Sequence, residues 1–255
     1  MSRLDKSQRA SLLCYVTDRR SLVATVAAET WKVLLQRIEG AAAAGVDWIQ
    51  IREKRLSGKE RSLLALEALQ RTTTSAARAA LERTANSATR TASSTVPASR
   101  ARASAAGARI LVNDRLDVAL AVQAGGVHLG EKSLPPQEAR RLVVSLHREK
   151  DFLIGVSCHS LEAAKAAERD GADYLFFGPV FATPAKAVYG APQGLERLAE
   201  VCRAVSLPVL AIGGITLDNC AACFSAGASG IAAIRLFQDA KDLAAVVRAL
   251  RKFSP

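Results

Sequence analysis

Eight short apolar runs, each ending abruptly in polar residues or glycine, punctuate this chain. They fall at residues 12–17, 48–52, 109–113, 126–129, 152–157, 174–179, 208–213 and 230–234. A parallel strand covered on both faces reads as such a run. The stretches between them, such as LEAAKAAERDGA and GLERLAEVCRAV, place apolar residues at three- and four-residue steps, the helical period. Gly125, Gly171 and Gly227 follow such stretches, where a left-handed helix C-cap is expected. Eight strand–helix units predict one closed (β/α)8 TIM barrel over residues 1–255 rather than an open doubly wound sheet. No GxGxxG follows the first run, which weakens a dinucleotide-binding reading.

At 255 residues and 49% hydrophobic, the chain can bury a large core, and with only 5% aromatic residues that core is mostly Ala, Val, Leu and Ile. No run reaches the length of a membrane span, so no membrane partner is expected. The N-terminal apolar run is too short for a signal peptide, and a cytoplasmic enzyme is the default. The cysteines are Cys14, Cys158, Cys202, Cys220 and Cys223, an odd number in largely apolar settings that predicts reduced thiols. Cys220 and Cys223 form a CxxC with no second pair to complete a zinc site, and a helix starting near Leu217 accounts for the spacing.

The net charge is +11. No nucleic-acid motif or aromatic interleaving accompanies it, so no nucleic-acid partner is expected, and an anionic small-molecule substrate explains basic residues at strand ends. One low-complexity segment, 72–107, is rich in Ala, Ser, Thr and Arg and interrupts the rhythm between helix 2 and strand 3. Such a composition predicts disorder, with weak helix over 76–83. Its five arginines less Glu82 supply +4 of the +11, on the barrel face away from the chemistry. The oligomeric state is not written in the sequence, and a homo-oligomer is compatible with it.

The residues at the strand ends carry the chemistry. Gln50, Arg52 and Lys54 alternate at the end of strand 2, so one face presents an amide and two cations, a set suited to pyrophosphate. A solvated strand end with Glu53 as local partner is the plainer alternative. Asn113 and Asp114 close strand 3, where an aspartate can hold Mg2+ or cap the next helix. Ser157 and His159 follow strand 5, fit respectively for a phosphate contact and for proton transfer; Ser160 suits an N-cap. Thr183 and Lys186 lie in a long loop after strand 6 that can serve as a lid. Gly213 and Gly214 close strand 7, and Ile234 and Arg235 close strand 8, the positions of the barrel phosphate site.

The series YVTDRR, WIQIREK, LVNDRLDVALAVQAGGVHLG, IGVSCHS, FFGPVFATPAK and AIGGIT, in this order, resembles thiamine-phosphate synthase and its relative, the thiazole tautomerase. The resemblance spans nearly the whole chain outside 72–107. It implies a barrel transferase that joins a hydroxymethylpyrimidine pyrophosphate to a thiazole phosphate, releasing pyrophosphate, with Mg2+ as cofactor. It assigns Gln50, Arg52 and Lys54 to pyrophosphate and Asp114, beside Asn113, to Mg2+. Ser157, Thr183, Lys186 and Gly214 become phosphate and substrate contacts. Three positions depart from the pattern: Ser133 stands where a second Mg2+ aspartate is expected, Ala185 replaces a threonine, and Arg235 replaces a serine. On the tautomerase branch His159 would move the proton and no pyrophosphate site would be needed; a non-catalytic phosphate-binding barrel is the third reading. Retention of Gln50, Arg52, Lys54, Asn113, Asp114 and Lys186 points to the synthase.

Overall fold

The computed structural model describes residues 11–22, 27–87, 107–183 and 191–253, with 27–28 and 75–87 described by backbone alone. Its strands are β1 (Leu12–Val16), β2 (Trp48–Ile51), β3 (Arg109–Asn113), β4 (Gly126–Leu129), β5 (Leu153–Cys158), β6 (Tyr174–Phe177), β7 (Val209–Ile212) and β8 (Gly230–Ala233). They close into a barrel in chain order, every neighbouring pair parallel. The expected (β/α)8 fold is therefore the observed one, with strand ends displaced by a residue or two.

The helices are α1 (Ala27–Ala44), α2 (Gly58–Ser87), α3 (Leu116–Ala121), α4 (Pro136–Ser145), α5 (Leu161–Arg169), α6 (Gly194–Ala204), α7 (Cys220–Ser225), α8 (Arg235–Gln238) and α9 (Leu243–Arg251). Local chemistry fixes where several of them start. Ser57 and Glu60 form a reciprocal capping box at α2, with Glu60 N–H donating to Ser57 Oγ at 3.2 Å and Ser57 N–H to Glu60 Oε2 at 2.8 Å. Ser160 caps α5 as expected, accepting the Ala163 N–H at 3.1 Å. Gly171 and Gly227 have the positive φ of a C-cap, but after α3 that conformation belongs to Gln123. Gly125 is needed for space instead: a Cβ there would lie 2.4 Å from Arg109 Cγ.

The two faces of each strand serve different layers. One set of side chains, including Leu12, Cys14, Val16, Trp48, Leu111, Leu153, Tyr174, Phe176, Leu210 and Ala232, fills the barrel interior. The alternate set, such as Leu13, Tyr15, Ile49, Ile51, Ile110, Leu175 and Ile231, packs outward under the helices. The beginning of the 72–107 segment belongs to α2, where Thr72 is buried and its hydroxyl donates to the Ala68 carbonyl at 2.9 Å. Residues 88–106 lie outside the described residues. Among the described residues no helix is long and apolar enough to cross a membrane.

Candidate active site

Because all eight strands run the same way, their C-terminal ends share one rim. Gln50 continues the interior alternation of β2 from Trp48 and is buried. Its Nε2 donates to Asn113 Oδ1 at 2.8 Å, which ties the ends of β2 and β3 together. Arg52 lies just beyond β2 and is half-buried. The Arg52 cation holds the Lys54 amine below its usual value, with partial burial acting the same way and Asp114 opposing both. Arg52, Lys54 and Asp114 thus share one electrostatic neighbourhood, as their places at neighbouring strand ends imply.

Glu53 is not the partner of these cations. It is on the opposite face, 4% exposed, and its carboxylate accepts the Thr17 hydroxyl at 2.7 Å and the Arg19 N–H at 3.1 Å. Burial raises its pKa above the usual carboxylate value, and the Thr17 and Arg19 bonds oppose only part of this. Thr17 Oγ1 also accepts the Arg52 N–H at 3.0 Å. From below, Arg61 Nη2 donates to the carbonyls of Glu53 and Leu56, each at 3.2 Å. The turn that carries Arg52 and Lys54 is therefore held on several sides.

Asp114 has φ of 68° and does not cap α3, whose N-cap position is Arg115 with no side-chain capping bond. Its carboxylate instead accepts the hydroxyl of Ser133. Ser133 Oγ in turn accepts the Gly130 N–H at 2.7 Å. Glu131 is turned elsewhere, with Oε1 3.9 Å from His159 Nε2. His159 Nδ1 is bonded to the Gly178 carbonyl. Among the described residues no cluster of three or more His, Cys, Asp or Glu side chains is arranged for a metal ion.

Ser157, on the interior face of β5, has its hydroxyl 2.9 Å from His128 Nε2. Sequence reasoning did not single out His128. It is 2% exposed, and burial, reinforced by Arg52, pushes its pKa down to about 3, so it stays neutral. His128 Nδ1 lies 3.1 Å from the Tyr174 hydroxyl. The histidine of the VHLG run was the available signal; its apolar neighbours hid its polar contacts.

Gly213 and Gly214 have φ of 98° and 67°. A Cβ on Gly213 would stand 2.6 Å from Pro179 Cβ, and one on Gly214 would stand 2.6 Å from the Ala182 carbonyl oxygen. The pair therefore lets the chain after β6 lie against the end of β7. Asn219 Nδ2 donates to the Gly214 carbonyl at 3.0 Å and fixes the turn before α7, which starts at Cys220 rather than Leu217. Cys220 and Cys223 are buried on that helix, and burial pushes the Cys223 thiol up to about 12. Ile234 is the N-cap residue of α8 and Arg235 its first, exposed residue. Thr183 is half-buried after β6; Lys186 lies outside the described residues.

A family model described as thiamine monophosphate synthase matches residues 65–237. The chain belongs to that family. It is 39% identical over 218 residues to the thiamine-phosphate synthase of Moorella thermoacetica, covering 86% of this chain and 87% of the relative. It is 42% identical over 211 residues to the thiamine-phosphate synthase of Methanoculleus marisnigri, covering 83% of each. Among solved structures, the thiamine phosphate pyrophosphorylase of Pyrococcus furiosus superposes with a TM-score of 0.68 at 31% identity, covering 95% of this chain and 94% of that one. Family membership carries the transferase reading and its place in thiamine biosynthesis.

Proposed function

We propose that this barrel is a thiamine-phosphate synthase that works through two anion-binding walls at one mouth. This reading is supported by the cationic cluster of Arg52 and Lys54 beside Asp114 at the ends of β2 and β3, and by the positive-φ Gly213–Gly214 turn at the end of β7, with Ser157 on β5 between them. The first wall takes the pyrophosphate of the pyrimidine substrate, and the second takes the phosphate of the thiazole, with Thr183, Ile234 and Arg235 at its border. Gln50, held by Asn113, lies beneath the ligands. Lys186, which lies outside the described residues, is retained as a further cation on the family resemblance alone.

The donor set near Asp114 suits Mg2+, which typically takes one or two carboxylates and completes its shell with substrate phosphates and water. Asp114 supplies the carboxylate and Ser133 a neutral oxygen. Bound there, the ion would neutralise charge on the departing pyrophosphate. Arg52 and Lys54 stabilise the same developing charge as the bond between the pyrimidine methylene and pyrophosphate breaks. The thiazole nitrogen then bonds to that methylene carbon. No protein nucleophile takes part, so orientation by the two walls supplies much of the rate.

The test is to mix purified protein with hydroxymethylpyrimidine pyrophosphate, thiazole phosphate and Mg2+ and to assay thiamine phosphate. The tautomerase reading has one feature in its favour: His159, held by the Gly178 carbonyl, turns Nε2 towards Glu131. Isomerisation of a thiazole carboxylate phosphate, abolished in His159→Ala, with no thiamine phosphate formed, would replace the synthase reading.

A further inference from the structure

We propose that Tyr174 and His128 form a fixed hydrogen-bond relay that commits the Ser157 hydroxyl to donate to an anionic ligand. The proposal rests on the function proposed above, in which Ser157 faces one of the two anions bound at this mouth. Tyr174 is fully buried, and its hydroxyl has His128 Nδ1, at 3.1 Å, as its hydrogen-bond partner among the described residues. Were Nδ1 the donor, the phenol proton would be left without an acceptor inside the barrel, a state that buried polar groups avoid. So the phenol donates and Nδ1 accepts. A neutral imidazole carries one proton, which must then sit on Nε2. That N–H donates to Ser157 Oγ at 2.9 Å. Ser157 keeps its own proton free, with no acceptor for it among the described residues. In the opposite tautomer Ser157 would donate into the ring and offer only lone pairs, which repel a phosphate oxygen.

Packing holds the relay in place. The His128 ring centroid is 4.1 Å from that of Phe176, and the Tyr174 ring centroid is 4.6 Å from that of Trp48. Gly155 supplies the space, since a Cβ there would stand 2.0 Å from Tyr174 Cζ. Tyr174 and His128 are therefore positioning residues that act through Ser157. The interior alternation explains the arrangement: His128 is registered opposite Gly155, and Tyr174 opposite Gly155 on the other side.

Two readouts test this. The first is the 15N spectrum of histidine-labelled, ligand-free protein, with the His128 signals identified by their loss in His128→Gln. The wild type should show the Nε2–H tautomer, and Tyr174→Phe, which removes one oxygen, should lose that preference. The second is calorimetric binding of inorganic pyrophosphate and, separately, of thiazole phosphate. Tyr174→Phe and Ser157→Ala should each weaken binding of the same one of these anions by roughly tenfold, and Tyr174→Phe should add nothing in the Ser157→Ala background. An Nδ1–H tautomer in the wild type, or additive effects in the double variant, overturns the relay. Unchanged binding of both anions in Ser157→Ala removes Ser157 from the anion site and takes the relay's ligand with it. The ligand-free tautomer distinguishes that failure from failure of the relay itself.

Discussion

The Ser133 hydroxyl donates to the Asp114 carboxylate while accepting the Gly130 N–H at 2.7 Å. A neutral group thus stands where the family resemblance places a second metal-binding carboxylate. On the proposed function, Mg2+ meets one negative charge in the free protein and depends on pyrophosphate for the rest of its shell. Ser133→Asp adds a charge beside Asp114 and should tighten Mg2+ binding to the substrate-free protein by about tenfold or more. Titration calorimetry with Mg2+ alone reads this directly. Equal Mg2+ affinity in the two proteins would show that the ion does not sit between these positions.

Arg52 and Lys54 are held on a turn braced by Thr17, Glu53 and Arg61. Arg52→Ala or Lys54→Ala should cost about 2–4 kcal/mol of transition-state stabilisation, read from kcat/KM for the pyrimidine pyrophosphate. Binding of thiazole phosphate should change little, because that ligand is assigned to the other wall. Equal loss of both would place the two ligands on the same cations.

His128 makes a pH-dependent contribution to stability. Its folded-state value is depressed to about 3 from 6.5, so between these the unfolded chain binds a proton that the folded barrel refuses. Its contribution is complete above the unfolded value and is lost as pH falls towards the folded one. Asp47 and Glu53 shift upward through burial and act in the opposite sense just above the usual carboxylate range. Comparing urea unfolding of wild type and His128→Gln subtracts them. Between about pH 4.5 and 6, the wild-type free energy should rise more steeply than the variant's, by up to about 1.4 kcal/mol per pH unit. Parallel profiles would contradict the assignment of a buried neutral histidine.

Helix α2 has 30 residues and α1 has 18. At 1.5 Å per residue these are about 45 and 27 Å long, so α2 overshoots its neighbour. Replacing residues 74–104 with a short Gly/Ser linker removes the overhang of α2 together with most of the low-complexity sequence that follows it. Turnover should survive and the net charge should fall by +4, five arginines less Glu82. The energetic change in loop closure is small, about 0.6 kcal/mol for each doubling of length. Loss of cooperative unfolding in this variant would show that the segment packs on the barrel.

The strands were legible because burial on both faces leaves an uninterrupted apolar run, as in residues 152–157 and 174–179. The alternation read through Gln50, Arg52 and Lys54 holds only for Gln50, which continues the interior face of β2; the strand ends at Ile51, Lys54 lies in the turn beyond it, and Glu53 is held there by Thr17 and Arg19. What escaped the sequence was long-range. His128 and Tyr174 are 46 positions apart and look like ordinary strand residues until β4, β5 and β6 are aligned. The start of the 72–107 segment reads as low-complexity, yet its alanines and arginines are good helix formers and extend α2 to Ser87. Gly125 resembled a C-cap, but its role is to make room for Arg109.

The most direct test of the two-wall account is the stoichiometry of a single reaction mixture. Wild-type protein with both phosphorylated substrates and Mg2+ should release one pyrophosphate for each thiamine phosphate formed, and neither product should appear when either substrate is omitted. Pyrophosphate released without the thiazole partner, or no thiamine phosphate with both substrates present, would contradict the claim that the two walls serve one condensation.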